Sequence, residues 1–365
     1  MRILFVSAAN SSHTVKWVNT LASRGHQVVL ASNIDHRADK DALSPLVRVE
    51  YLLRPGALGY YRNAIQLHEL AVSFAPDVVN AHYASGYGTL ARRARVGPLL
   101  LSIWGSDVYE FPKKSRFHRR LLEKNLAFAN AIASTSLIMA KEAEQYMKNG
   151  TRVFITPFGV DTRLFRPVLR TQQGEFVIGT AKRLEPESGI DILLKAFHIF
   201  RTQVRITDPS GRLKLRIYGE GSEYTALMGL AREIHISDDT EFYGRIANEE
   251  VARAFAGMDV ICLPSLRESF GVAAVEAMAC GRPVITSAAD GFLETVVNDV
   301  TGLILQKLDE YHLADALLKL YGDPLLRRAM GEAGRRRAVE LYSLEECARG
   351  MEEALEYTAH MTEKT

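Results

Sequence analysis

Cysteine is scarce in this chain. Its three residues, Cys262, Cys280 and Cys347, are scattered, and the first two sit in apolar runs. That argues against a disulfide framework or a cysteine-built zinc site and points to a reducing compartment. Long hydrophobic runs are missing as well. No stretch approaches the roughly 20 apolar residues that a membrane span needs. The opening Met1–Ser7 run is too short for a signal peptide and passes straight into polar Asn10-Ser11-Ser12-His13, so it predicts a first β-strand. Repeats and low-complexity segments are absent. Neither a base-reading motif nor a regular aromatic platform accompanies the basic residues, which argues against a nucleic-acid partner. The expected location is the cytoplasm, with the inner face of the cytoplasmic membrane as a candidate docking surface.

What is present divides in two. A chain of 365 residues exceeds what one hydrophobic core usually supports, so two domains are expected. Strand-like runs fall at 2–8, 26–31, 46–52, 77–81, 99–103 and 131–133, with helical runs at 14–24, 61–75, 85–95, 115–129 and 136–148. A second alternating set starts at Phe176 and runs to about 342. Such alternation predicts parallel sheets covered by helices, an α/β fold. Pro157, Pro167 and Gly174 punctuate a stretch with little apolar periodicity, which places a connection there.

Charge follows the same division. Residues 1–166 carry 22 Lys+Arg against 12 Asp+Glu, and the remainder carries 23 against 31. A basic first half points to an anionic surface or substrate. The sharpest cluster is Lys113, Lys114, Arg116, Arg119 and Arg120, a candidate contact for the phosphate headgroups of an anionic membrane. A solvated helix face explains the same residues. Asp39-Lys40-Asp41 is a literal Asp-x-Asp, but it lacks a preceding apolar strand and reads as surface, so no metal is expected.

The most informative segment holds two glutamates eight positions apart, Glu268-Ser-Phe-Gly-Val-Ala-Ala-Val-Glu276. A buried strand precedes them and ends at Pro264. A helix from Val272 to Cys280 follows and stops at Gly281, and a second strand spans Pro283 to Thr286. Glu268 is thus expected on a loop at the carboxyl end of a parallel strand, with Glu276 about one turn inside the next helix. Open α/β sheets bind ligands at that edge, and a helix opening at Phe270-Gly271-Val272 offers N–H groups to an anion. Two carboxylates around such a site suit a ligand that is part polyol and part phosphate, such as a nucleotide sugar. A helix-dipole role alone also accounts for a glutamate near a helix start.

This segment resembles the Glu-x7-Glu motif of the retaining family-4 glycosyltransferases. The resemblance extends to Thr156-Pro-Phe-Gly-Val-Asp161 with Phe165-Arg166-Pro167, to the phosphate loop Gly179–Asp191, to Ile217-Tyr-Gly219-Glu-Gly221 and to Phe242-Tyr-Gly244-Arg245. It covers about 155–305 well and the first half more thinly. It implies a GT-B fold, two Rossmann-like domains with parallel sheets facing across a cleft. The expected boundaries are 1–160 for an acceptor-binding domain, 161–174 for a linker and 175–344 for a nucleotide-sugar domain, with 345–365 crossing back to the first domain.

By resemblance, Arg183 touches the diphosphate, Glu276 holds the ribose hydroxyls, and Glu268 contacts the donor sugar with the N–H groups of Phe270, Gly271 and Val272. The base rests near Gly244, Arg245 and Ile246. The family places lysine where this chain has Ser188, and Lys182 or Arg245 is the candidate replacement cation. The family's histidine segment reads Ser102-Ile-Trp104-Gly105-Ser-Asp107 here, so Trp104 either stacks on a sugar or packs as a buried aromatic. Asp107 is a candidate sugar contact and His82 either serves the cleft or is structural. Asn10, Ser11 and His13 form an acceptor wall, with His13 a candidate acceptor base.

The implied activity is retaining transfer from a nucleotide-diphosphate sugar, UDP-sugar favoured, with the nucleotide sugar as co-substrate and no further cofactor. Trp104–Pro112 is similar to bacterial polysaccharide-assembly members, which tilts the acceptor towards a glycan or lipid-linked precursor of exopolysaccharide or lipopolysaccharide. A nucleotide-sugar epimerase of the same architecture, or a catalytically weak donor-binding subunit, are the alternatives.

Overall fold

Seven strands alternate with helices through the first half of the computed structural model, which describes residues 1–168 and 174–361. They are β1 (Arg2–Val6), β2 (Gln27–Asn33), β3 (Val47–Leu52), β4 (Val78–His82), β5 (Leu99–Ile103), β6 (Ala131–Ser134) and β7 (Val153–Ile155). Every pair in this sheet is parallel, in the order β3-β2-β1-β4-β5-β6-β7. Val, Ile, Leu and Ala dominate β1, β4, β5 and β6 because helices cover both faces of the sheet, so neither side of a strand meets water.

The second half repeats the plan. Its strands are β8 (Glu175–Ala181), β9 (Arg212–Tyr218), β10 (Thr240–Gly244), β11 (Val260–Leu263), β12 (Val284–Ser287) and β13 (Gly302–Leu305), all parallel in the order β10-β9-β8-β11-β12-β13. Each sheet reverses its winding once, at β1/β4 and at β8/β11. Loops leaving the carboxyl ends of those paired strands diverge, and the crevice between them is where open sheets hold ligands.

The chain divides into two compact units, Met1–Phe158 with Glu345–Thr365, and Gly159–Leu344. The last helix, Leu344–His360, groups with the first unit from Glu345 onward. It buries Cys347, Met351 and Leu355, spaced four apart on one face. Its Glu352 carboxylate accepts two hydrogen bonds from the Arg24 guanidinium at 2.8 Å and lies 2.9 Å from His26 Nε2. Where the chain passes between units, Val160 donates to the Tyr342 carbonyl at 2.8 Å and Leu344 donates back to Val160 at 2.9 Å. The two connections therefore run side by side.

Three expectations need correction. The run 61–75 is two helices, Gly56–Arg62 and Ala64–Phe74, broken at buried Asn63. The Asn63 amide donates to Asn33 Oδ1 and the Arg54 carbonyl and accepts from the Arg54 N–H. Satisfying that buried amide outweighs helical periodicity. Second, β7 and the short helix Ser106–Tyr109 lack the length that makes a pattern readable. Third, the described part of the 161–174 connection groups with the second unit, which begins at Gly159. Arg335 fixes the connection by donating to the carbonyls of Thr162 and Phe165, with Phe165 buried and the exposed Pro167 lying against Gly281. Residues 169–173 of that connection and 362–365 of the tail lie outside the described residues. No described helix is long and apolar enough to cross a membrane.

Candidate functional site

Around the β8/β11 switch point, three strand ends and residues of three helices converge on a pocket of about 1120 Å³. The β8 end contributes Lys182 and Arg183, the β9 end Tyr218 and Gly219–Gly221, and the β10 end Gly244, Arg245 and Ile246. Glu276 reaches it from the helix Val272–Ala279. Charge in the pocket is mixed, with Lys182, Arg183 and Arg245 against Glu220 and Glu276, as a ligand carrying both phosphate and hydroxyls requires.

The second switch-point loop runs from Pro264 to Gly271. Gly271 has φ +88° and caps the helix, a conformation that an L side chain resists. Its neighbour Phe270 is buried, with its ring 5.6 Å from Tyr342, so only its backbone is available to a ligand. Val272 opens the helix. Glu268 is held by Lys182, whose ammonium donates to Glu268 Oε2 at 2.7 Å and to Ser265 Oγ at 2.5 Å. Arg183 is 85% exposed, with one guanidinium nitrogen 3.3 Å from Glu185.

Ser188 is buried, and its hydroxyl donates to the Arg183 carbonyl at 2.6 Å. The next residue, Gly189, stands so close to the other loop that a Cβ would lie 2.1 Å from the Pro264 carbonyl oxygen. The two loops are therefore locked together by backbone contact. Position 188 closes its own loop onto Arg183 instead of presenting a cation.

The β1/β4 switch point of the first unit is built differently. His13 stacks on Phe158 with centroids 3.8 Å apart, and Trp104 lies edge-on to both. Trp104 also meets the rings of His82 and Tyr83 at 4.4 and 5.2 Å. It is only 6% exposed, so it packs as a buried aromatic. His82 is fully buried, with Nε2 2.8 Å from Asn80 Oδ1, which marks it as structural.

Burial lowers the pKa of His82 to about 3, with the neighbouring His13 adding to the shift. His13 also falls to about 3, through burial first and Lys16 second. A weakly basic imidazole is a poor proton acceptor at neutral pH, which weighs against His13 as an acceptor base. Asp107 is corrected as well. Its carboxylate is buried and accepts the N–H groups of Trp104, Gly105 and Ala84 at 3.1, 2.8 and 2.9 Å. Burial still pushes its pKa up, against those bonds. Asp107 thus shapes two loops and turns no oxygen towards a sugar. Asn10 is exposed and Ser11 half-buried at the start of the helix Ser12–Ser23, so they remain open to an acceptor.

The basic cluster opens the helix Arg116–Phe128, capped by Ser115. Arg119 pairs with Glu123 at 2.9 Å and Lys113 approaches Glu142 at 4.0 Å, while Phe117 is exposed beside them. Asp39, Lys40 and Asp41 are exposed surface. Tyr218, which sequence reasoning passed over, lines the pocket and stacks on Tyr243 at 4.5 Å with an interplanar angle of 6°. Its position directly before Gly219 was the available signal.

Two parallel α/β sheets of this order define the GT-B fold. Sucrose-phosphate synthase from Thermosynechococcus elongatus superposes with a TM-score of 0.80 at 22% identity, over 97% of this chain and 98% of that one. HepE from Anabaena, solved in complex with UDP, gives 0.80 at 18% identity over 98% and 100%. Residues 161–337 match the family model for glycosyl transferases group 1, and residues 2–136 match that for glycosyl transferase 4-like domains. The chain belongs to the family-4 glycosyltransferases. A D-inositol 3-phosphate glycosyltransferase from Pseudarthrobacter chlorophenolicus is 33% identical over 220 residues, which is 58% of this chain and 51% of that protein. The chain thus spans about half the length of that relative.

Proposed function

We propose that this protein is a retaining glycosyltransferase that moves a sugar from a nucleotide-diphosphate donor, a UDP-sugar favoured, to a glycan or lipid-linked acceptor in cell-surface polysaccharide synthesis. The observation that carries this reading is the second unit's pocket, where Glu276 lies with Arg183, Lys182 and the Gly244–Ile246 loop around one cavity. The Glu276 carboxylate has two acceptor oxygens for adjacent ribose hydroxyls. Arg183, exposed and only weakly tied to Glu185, is free to swing onto a phosphate, where a charge-assisted bond is worth about 1.5–3 kcal/mol. HepE's bound UDP supports the choice of nucleotide.

In the transfer, the bond from the sugar C1 to the terminal phosphate oxygen breaks and a bond from C1 to an acceptor hydroxyl oxygen forms. The hydroxyl proton passes to the departing phosphate. Attack from the same face retains configuration and asks for no protein nucleophile. Negative charge grows on the leaving diphosphate, and Arg183 with the N–H groups at the start of Val272–Ala279 is the proposed stabiliser. The exposed basic face at 113–120 is the proposed contact for an anionic membrane surface that carries the acceptor.

Thermal-shift measurements with UDP, GDP, ADP and their sugar conjugates test this reading. A ligand at a hundredfold excess over its dissociation constant adds about 2.7 kcal/mol to native stability. One nucleotide is expected to raise Tm, with the shift reduced in both Glu276→Ala and Arg183→Ala. No shift with any of them overturns the donor reading. Turnover of a sugar nucleotide without acceptor would identify an epimerase instead, and tight binding without transfer to any acceptor a donor-binding subunit.

A further inference from the structure

The Lys182 ammonium has three N–H donors, and the structure accounts for two of them, on Ser265 Oγ and Glu268 Oε2. Its stem leaves the carboxyl end of β8 and lines the nucleotide pocket, whereas Glu268 and Ser265 belong to the loop after β11. Lys182 therefore spans the switch point from the pocket to the loop. The ion pair is sheltered, with side-chain exposures of 16% for Lys182 and 20% for Glu268, against 85% for Arg183. A sheltered cation keeps more of its electrostatic reach than an exposed one, because less water screens it. The Phe292 ring lies 5.7 Å from the ammonium and gives that side of it an apolar wall. Ser188, on the adjoining loop, is committed to the Arg183 carbonyl and supplies no charge.

We propose that Lys182 is the second cation for the donor's diphosphate: its remaining N–H bonds a phosphate oxygen while its salt bridge holds Glu268, so that one ammonium couples the leaving group to the carboxylate that meets the sugar. This rests on the donor reading above and adds a residue role that the pocket alone does not assign. The coupling has a directional consequence. Glu268 competes with the diphosphate for the ammonium, so neutralising Glu268 strengthens the bond to phosphate and removing Lys182 weakens it. A lysine that only anchors Glu268 would show no such opposition.

Isothermal titration with UDP, GDP and ADP, each beside its monophosphate, separates these cases. Lys182→Met is expected to weaken the diphosphate that binds by at least tenfold and its monophosphate by less than threefold. Lys182→Arg is expected to recover most of the loss, which also controls for misfolding. Glu268→Gln is expected to bind the diphosphate as tightly as the unsubstituted protein or more tightly, while losing transfer activity. Equal diphosphate affinity in Lys182→Met and the parent, or weaker diphosphate binding in Glu268→Gln, overturns the proposal and leaves the donor pocket standing. Failure of every diphosphate to bind the unsubstituted protein overturns the donor reading together with it.

Discussion

The two switch points are built on the same topology and made of opposite materials. At β8/β11 the loop ends carry Lys182 and Arg183 around an open pocket completed by Glu276, with Glu268 paired to Lys182 on the neighbouring loop. At β1/β4 they carry His13, His82, Trp104 and Phe158 in a packed aromatic cluster, with Asp107 buried beside it. Topology decides where a crevice forms; side-chain polarity decides whether it stays open. A charged crevice keeps its water because burying an unpaired charge costs several kcal/mol, whereas an aromatic one gains by closing.

Trp104→Ala should break the comparison most sharply. Truncating an aromatic of this size in a packed site costs about 3–5 kcal/mol. Both tryptophans, Trp17 and Trp104, lie in the first unit, so Trp17 fluorescence during urea unfolding reports that unit in the variant. The nucleotide-induced shift, a property of the second unit, should persist. Glu276→Gln should do the reverse. It is expected to leave urea stability within about 0.5 kcal/mol, as for a substitution away from a core, and to lower nucleotide affinity about 100-fold by titration.

Acid should separate the two ends next. His13 and His82 resist protonation down to about pH 3 when folded, while unfolded histidines take up protons below about 6.5. The unfolded state then binds more protons, so this part of the stability is complete above pH 6.5 and is lost as pH falls from there towards 3. Between pH 6.5 and 5, His82→Gln should flatten the fall in the first unit's urea stability by up to about 1.4 kcal/mol per pH unit. Smallest is the basic face. Lys114→Ala with Arg120→Ala should weaken co-sedimentation with anionic vesicles by about 1 kcal/mol per charge removed, leaving neutral vesicles unaffected.

Legibility in the sequence followed the same split. The second unit's strands and its Glu268–Glu276 segment were readable because long apolar runs end in charged residues, and charge at a strand's carboxyl end has few structural uses. Gly219, Gly244 and Gly271 marked the turns that bring those ends together. In the first unit the same reasoning meets residues whose polar atoms are taken up by the fold. His82 and Asp107 occupy strand-end positions that suit a ligand, yet their partners are Asn80 and the backbone of Ala84, Trp104 and Gly105. Ala84 is distant from Asp107 in sequence, Trp104 and Gly105 lie in a loop without periodicity, and Asn80 sits in the same strand as His82, where alternation alone does not mark a hydrogen-bond partner.

Alternation of apolar runs and glycine-ended helices was enough to determine two parallel α/β sheets, since strand and helix periods are local properties of the chain. So were the basic and acidic halves, which composition alone fixes. Only the tertiary structure decided that Ser188 locks a loop, that Lys182 holds Glu268, and that Trp104 closes the first crevice. The last two outcomes depend on which groups meet across a switch point, between segments from 22 to 91 residues apart, such as Lys182 with Glu268 or Trp104 with His82 and His13, while Ser188 bonds back within its own loop. Distances of a few ångströms set there decide whether a polar side chain is spent on the fold or left for a ligand.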